Sequence, residues 1–138
     1  MALAKKENKV VLINFTGSDW CQWCKRLSDA VFSKNEFEEF ARNNLVLVNV
    51  DFPRNIEQSN ATKYYNQQLA DMFGVEGFPT IILLDKNGHG ILKTGYMEGG
   101  IKNYIQQLKL YMPKSWINFY KNKYHAPRIT KKNPRGIM

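Results

Sequence analysis

The sulfur chemistry of this chain is confined to the stretch "SDWCQWCKR", residues 18–26, which contains Cys21 and Cys24 and hence both cysteines of the protein. Two cysteines separated by two residues fit three kinds of chemistry. They can hold a metal ion, form a permanent crosslink, or act as a dithiol that repeatedly forms and breaks disulfides.

The metal and the crosslink interpretations each lack support elsewhere in the sequence. A structural zinc site needs about four Cys or His ligands, and beyond the cysteine pair the chain offers only His89 and His125, neither of which belongs to a second paired motif. A permanent disulfide that closes so short a loop removes little entropy from the unfolded chain. The redox dithiol is therefore the preferred interpretation, although the pattern leaves the other two open.

The residues before the cysteines predict how the dithiol is positioned. The β-branched run "VVLINF" is typical of a buried central strand, and the loop "TGSD" follows it. Ser18 or Asp19 can cap a helix that begins near Trp20 and runs to about residue 43, with "SKNEF" as an interruption. Free N–H groups at the start of that helix favour a thiolate on Cys21. We expect Cys21 to face outward and Cys24 to lie one turn further in, less exposed.

The remaining sequence predicts an α/β fold. A short helix over 2–8 precedes the first strand, and further strands are predicted at 45–52, 77–85 and 91–97. Helices are predicted before the third strand, where Met72 and Phe73 face inward, and after the fourth. The order β-α-β-α-β-β-α predicts a four-strand mixed sheet with a mainly parallel core, and Asn87 and Gly88 form the turn of an antiparallel hairpin.

Length and charge suggest one domain with a distinct C-terminal extension. The chain has 138 residues and a formal net charge of +8. Residues 113–138 contain seven Lys or Arg and no acid, so residues 1–112 are close to neutral and do not resemble a nucleic-acid binder. No run of apolar residues reaches the roughly 18 that a membrane span needs. The first nine residues lack the apolar core of a signal peptide, and because the chain opens directly on a helix we expect a leader to have preceded it.

Four segments together resemble the thioredoxin superfamily: "VLINFTGSDWCQWCKRL", "LVLVNVDF", "FGVEGFPTIILLDKNG" and "GYMEGG". Within the superfamily they are similar to a branch of bacterial, mostly periplasmic, thioredoxin-like disulfide reductases whose active-site segment reads F-T-G-x-x-W-C-x-x-C-K. The resemblance covers about residues 2–111. It divides the chain into a thioredoxin-like domain, 1–112, and a basic extension, 113–138.

The resemblance implies a thioredoxin fold and a set of site residues. Cys21 would be the nucleophile, Cys24 the resolving thiol, and the peptide bond before Pro79 cis. A cis proline would present the backbone of Phe78 to a docking substrate strand. The residues expected to contact the substrate beside the sulfurs are Trp20, Gln22, Trp23, Phe78 and Pro79.

Two departures from the family pattern affect the expected chemistry. Many members carry a buried acid beneath the cysteines that helps move the proton of the inner thiol, and the matching residue here is Asn14. We expect slower deprotonation of Cys24, with the acid's role either missing or filled by water or another carboxylate. The dipeptide Gln22–Trp23 is neutral and supplies no imidazolium to stabilise the thiolate, which favours a reductant over an oxidant.

These observations predict a protein-disulfide reductase that needs no organic cofactor and no metal. Its expected partners are disulfide-bearing protein substrates and an unidentified upstream thiol electron donor, with no nucleic acid, and we expect a monomer. The alternatives are an isomerase or oxidant of the same fold, and a non-catalytic thioredoxin-like module that binds extended peptides. By analogy with the branch, the location is periplasmic or otherwise extracytoplasmic, with the cytoplasm as the alternative.

The basic extension lies beyond the resemblance. Trp116, Phe119, Tyr120 and Tyr124 recur at helical spacing, so we expect a short amphipathic segment that covers one side of the domain. Weak contact of the cationic residues with anionic surfaces is the alternative.

Overall fold

The computed structural model describes residues 1–112, in which helices and strands follow the predicted order. A π-helical turn (Ser28–Phe32) joins the second and third helices. The elements, in chain order, are α1 (Ala2–Glu7), β1 (Val10–Thr16), α2 (Gln22–Leu27), α3 (Asn35–Asn44), β2 (Leu45–Asp51), α4 (Asn60–Met72), β3 (Thr80–Leu84), β4 (Gly90–Thr94) and α5 (Gly100–Tyr111). The predicted docking segment with Trp116 lies outside the described residues.

The four strands form one mixed sheet in the order β2-β1-β3-β4. β1 pairs in parallel with β2 and antiparallel with β3, and β3 pairs antiparallel with β4. The mixed sheet and the antiparallel hairpin are confirmed, but the mainly parallel core is wrong. A helix between two strands permits parallel pairing without requiring it, and here the connection through α4 brings β3 alongside β1 in the opposite direction.

The alternation of side chains along β1 builds a core on each face of the sheet. Val10 and Leu12 pack with residues of α2, the π-helical turn, α3 and α5 on one face. Val11 and Phe15 pack on the other face with residues of α1 and α4. Asn14 lies an even number of positions from Val10 and Leu12 along β1, so its side chain is on the same face of the sheet, the face that α2 covers. The alternation along β1 therefore places the Asn14 amide beneath the dithiol.

Two local predictions differ from the structure. The predicted long helix after the dithiol is instead α2, the π-helical turn and α3, with the break at Ser33 and Lys34, inside the segment expected to interrupt it. Met72, predicted to face inward, is 55% exposed, whereas the neighbouring Phe73 is buried. Only a narrow side of α4 is buried against the sheet, and Met72 does not lie on that side. Among residues 1–112, no helix is both long and apolar enough to cross a membrane.

Candidate active site

The dithiol lies where β1 has ended and α2 begins. Cys21 is the N-cap of α2 and has extended backbone angles, and its Sγ accepts a hydrogen bond from the backbone N–H of Cys24 at 3.2 Å. The two sulfurs are bonded to each other as a disulfide. One sulfur is therefore the acceptor for an N–H group at the start of the helix, which is the arrangement that stabilises a thiolate once the disulfide is reduced.

The prediction that Ser18 or Asp19 caps this helix is wrong, because both are engaged elsewhere. The backbone N–H of Ser18 donates to Asp51 Oδ1 at 2.9 Å, and its hydroxyl donates to Asp51 Oδ2 at 2.5 Å. Asp19 accepts the backbone N–H groups of Arg54 and Asn55 at 2.9 and 2.8 Å. The two side chains thus tie the active-site loop to the end of β2 and to the loop after it.

The expected difference in exposure between the two cysteines is also wrong for the disulfide state. Cys21 and Cys24 are each 6% exposed. The reason is geometric: in the disulfide the Cys21 sulfur points toward Cys24 rather than away from the helix. A partner therefore meets a shallow, largely covered disulfide.

Trp20 is fixed in place by contacts on several sides. Its indole N–H donates to the carbonyl of Phe52 at 2.7 Å, and its ring makes an edge contact with Phe78, with 5.8 Å between the ring centroids. The guanidinium of Arg54 lies 3.7 Å from the centroid of the Trp20 ring. A side chain at Gly17 would collide with this ring, so only glycine fits there. Trp20 acts as a rigid wall of the site.

Trp23 lies on the accessible side of the dithiol. It is 49% exposed, and its ring contacts Tyr96 at a centroid distance of 5.1 Å. The guanidinium of Arg26 lies 4.8 Å from the centroid of the Trp23 ring. Gln22, at the first position of α2, is exposed. Sequence analysis does not single out Tyr96, which it places only within the "GYMEGG" segment.

The segment before β3 brings Phe78 and Pro79 to the same region. The bond between them is cis, as predicted. Phe78 is half-buried and contacts both Trp20 and Phe52, the latter at a centroid distance of 5.2 Å. The structure therefore brings Trp20 and Phe78 into contact, while Trp23 packs against Tyr96.

A cavity of about 420 Å³ lies beside the dithiol, and its lining includes Cys24 and Asn14. The Nδ2 group of Asn14 donates to Asn49 Oδ1 on β2 at 3.1 Å. The Oδ1 atom of Asn14 is buried and has no hydrogen-bond partner within residues 1–112. Asn14 therefore borders the same space as the inner cysteine, and Asp29 also lines this space. Sequence reasoning missed Asp29, because nothing in the sequence spacing indicated a cavity.

The carboxyl of Asp19 predicts how the stability of the folded protein depends on pH. The hydrogen bonds from the N–H groups of Arg54 and Asn55, the former the larger cause, lower the pKa of the Asp19 carboxyl. A pKa lowered by folding stabilises the folded protein above the carboxyl's unfolded pKa, and this contribution is lost as pH falls through the folded pKa. We expect the thermal midpoint of the wild type to fall more steeply on acidification than that of Asp19→Asn. Glu38→Gln is the matched control. If the midpoints of the wild type and of Asp19→Asn fall in parallel on acidification, the prediction is wrong.

Comparisons with known proteins agree on one family. A family model described as a thioredoxin-like domain matches residues 1–109. The chain is 35% identical over 106 residues to the disulfide bond reductase DsbH of Chlamydia pneumoniae, a match that covers 77% of this chain and 64% of that protein. It is 26% identical over 110 residues to the thiol:disulfide interchange protein DsbD of Haemophilus influenzae, covering 77% of this chain and 17% of that protein. The chain thus spans less than two thirds of the length of these relatives.

Solved structures give the same result for the fold. A structure of a DsbH oxidoreductase matches with a TM-score of 0.74 and 34% identity, over 78% of this chain and 75% of that one. The oxidised C-terminal domain of DsbD from Neisseria meningitidis matches with a TM-score of 0.58 and 18% identity, over 80% of this chain and 87% of that one.

Proposed function

Because the chain belongs to the thioredoxin-like domain family, we propose that it is a thiol–disulfide oxidoreductase that reduces protein disulfides with Cys21 and Cys24. The observation that carries the proposal is the pairing of the two sulfurs at the start of α2, where Cys21 Sγ accepts the N–H of Cys24. The similarity to a protein named disulfide bond reductase supports it. The chemistry needs neither a metal nor an organic cofactor, because the two thiols supply both electrons.

The reaction has two steps. In the capture step, the Cys21 thiolate attacks one sulfur of a substrate disulfide; a bond forms between Cys21 and that sulfur, and the other substrate sulfur leaves as a thiolate. In the release step, Cys24 loses its proton and attacks Cys21 Sγ. The bond between Cys24 and Cys21 forms, the captured sulfur leaves with its electron pair, and the protein is left oxidised. The disulfide state of the structure corresponds to the end of this sequence.

The surroundings of the dithiol support a role in contacting the substrate for the residues singled out by the sequence. Trp23 offers a half-exposed aromatic surface beside the sulfurs, and Gln22 is exposed next to it. Trp20 and Phe78 form a contiguous aromatic wall, and Pro79 follows directly. In this proposal an extended substrate segment lies along Phe78 and Pro79, and the two tryptophans flank the disulfide it carries.

The direction of electron flow follows from the residues between the cysteines. Gln22 and Trp23 carry no charge. Two cations follow Cys24 on α2: Lys25 interacts electrostatically with the carboxylate of Asp19, and Arg26 stacks on Trp23. A weakly stabilised reduced form makes the couple a reductant, so we expect a reduction potential below about −200 mV in a glutathione equilibrium titration, the range in which reductases lie. A potential well above that value would instead favour the isomerase or oxidant alternative.

The partners proposed for this chain are disulfide-bearing proteins and an upstream thiol electron donor. The names of the relatives, a disulfide bond reductase and a thiol:disulfide interchange protein, support both classes. An extracytoplasmic location is proposed with them, because disulfide-bearing substrates persist in oxidising compartments. Fractionation of cells that express the full-length protein would test the location, and recovery with the cytoplasmic fraction would contradict it.

Turnover in an insulin-reduction assay with dithiothreitol as electron donor tests the proposed function. We expect catalytic acceleration of insulin precipitation by the wild type, because each cycle regenerates the dithiol. The second candidate function, a non-catalytic peptide-binding module, is favoured by the exposed aromatic surface of Trp23. It predicts no turnover, together with unchanged peptide affinity after Cys21→Ser.

A further inference from the structure

The cavity beside Cys24 is large enough to hold water and carries several polar groups in a lining that is otherwise apolar. At roughly 30 Å³ per molecule, a volume of about 420 Å³ accommodates several waters. Asn14 and Asn49 contribute amide groups to its lining, and Ser28 contributes a hydroxyl. The buried Oδ1 of Asn14, which lacks a partner within the described chain, is an acceptor that water in this cavity would satisfy.

The release step requires Cys24 to lose a proton at a largely covered position. The thiolate, not the thiol, is the nucleophile in disulfide exchange, and Cys24 is only 6% exposed. Asn14, which lines the same cavity, has no proton-accepting carboxylate. The proton must therefore pass to another group, and the cavity that borders this cysteine carries polar groups in its lining.

Within residues 1–112, the charged and titratable groups that line the cavity, besides Cys24 itself, are Lys25 and Asp29. An ammonium group cannot accept a proton, which leaves the carboxylate of Asp29. Asp29 is exposed to solvent and forms no salt bridge within residues 1–112. Within residues 1–112 its carboxylate has no hydrogen-bond partner, whereas its backbone carbonyl accepts the hydroxyl of Ser33, so the carboxylate oxygens are available to water.

The local backbone explains how Asp29 reaches this space. α2 passes directly into the π-helical turn, where the N–H of Ser33 donates to the carbonyl of Ser28 at 2.8 Å, a bond that spans five residues. Ser28 and Asp29 follow Cys24 by four and five residues, and both line the cavity. π-Helical turns are rare and occur frequently at functional sites.

We infer that Asp29 is the proton acceptor for Cys24 in the release step, through water in the cavity, an inference that rests on the proposed function. The Cys24 proton moves through water to the Asp29 carboxylate, and the Cys24 thiolate attacks Cys21 Sγ. The bond between Cys24 and Cys21 forms, and the bond between Cys21 and the substrate sulfur breaks. The departing substrate thiolate takes a proton from solvent, and Asp29 returns its proton to solvent.

A single-turnover experiment with a symmetric synthetic peptide disulfide separates the two steps. The fully reduced protein liberates one peptide thiol on capture and the second on release, and both are quantified after rapid quenching. We expect Asp29→Asn to slow the second phase at least about 10-fold at pH 7, a smaller factor than the roughly 10²- to 10⁴-fold of a directly positioned base because water carries the proton here. Across pH, the wild-type release rate falls on the acid side as carboxylates are protonated, and Asp29→Asn lacks that inflection.

Three further variants make the result specific. Asp29→Glu keeps a carboxylate and should retain most of the release rate. Glu36→Gln removes an exposed carboxylate outside the cavity and should leave both phases unchanged. Asn14→Asp combined with Asp29→Asn restores a carboxylate to the cavity and should recover the release rate, whereas it is the retained rate of Asp29→Glu that distinguishes a need for a carboxylate from a merely structural role of Asp29.

The inference is overturned if the release phase of Asp29→Asn stays within twofold of the wild type between pH 5 and 8, or if Asp29→Glu releases the peptide as slowly as Asp29→Asn. Both results would leave the proposed function intact, because the wild type would still complete both phases. If the wild type liberates no peptide thiol at all, the proposed function itself has failed. The experiment therefore separates the two claims.

Discussion

Cys21→Ser is expected to abolish disulfide reduction, whereas Cys24→Ser is expected to hold the substrate as a mixed disulfide. The first change removes the only sulfur positioned to accept the Cys24 N–H, so no capture occurs. The second leaves capture possible but removes the thiol that resolves it. We expect the insulin-reduction rate of each variant to fall to the uncatalysed background, and only Cys24→Ser to form a covalent adduct that thiol reductants reverse.

Non-reducing electrophoresis and intact mass measurement of both variants, after incubation with a disulfide-bearing protein, distinguish these outcomes. The double variant Cys21→Ser, Cys24→Ser is the control for adducts that do not involve the dithiol. Adducts on Cys21→Ser that equal those on Cys24→Ser would contradict the assigned roles. The trapped proteins, identified by mass spectrometry, would also reveal the natural substrates.

Asn14→Asp is expected to accelerate the release step by about 10-fold at neutral pH. The substitution places a carboxylate in the cavity that Cys24 borders, and a positioned base assists proton removal by at least this factor. The single-turnover assay with the symmetric peptide disulfide measures it directly, as a faster second phase with no change in the first. The acceleration should be greatest at pH values at which the thiol of Cys24 would otherwise remain protonated.

Asn35→Asp is the matched control, because it introduces the same charge at an exposed position on α3. It should leave the release rate unchanged. A release rate for Asn14→Asp equal to or below that of the wild type across pH 5 to 8 would show that proton removal from Cys24 does not limit release. The expectation of slower deprotonation in this chain would then be wrong.

The sequence predicts the dithiol and its setting because those features depend on local patterns. The apolar run of β1 marks a buried strand, the spacing of Cys21 and Cys24 places both sulfurs on one helical turn, and the hairpin at Gly88 follows from turn chemistry. The cis bond before Pro79 was predicted instead from the resemblance to the thioredoxin superfamily. In each case the deciding residues are neighbours in the chain or belong to a recognised motif.

The features that the sequence did not predict depend on contacts between distant segments. The antiparallel pairing of β3 with β1 is decided by how the α4 connection crosses the sheet, not by the strand pattern. Asp19 is a residue type that often caps helices. Here its carboxylate instead accepts the N–H groups of Arg54 and Asn55, more than 30 residues away. The cavity exists only because β1, β2 and the π-helical turn meet around it.

The reactivity of Cys21 in the reduced protein tests the central claim most directly. The rate of its alkylation by iodoacetamide is measured between pH 5 and 9 in the Cys24→Ser variant, with free cysteine as the reference. Stabilisation by the start of α2 predicts a pH midpoint below the roughly 8.5 of an ordinary thiol and, at pH 7, alkylation faster than that of free cysteine. A midpoint at or above the ordinary value, with alkylation no faster than that of free cysteine, would contradict the account.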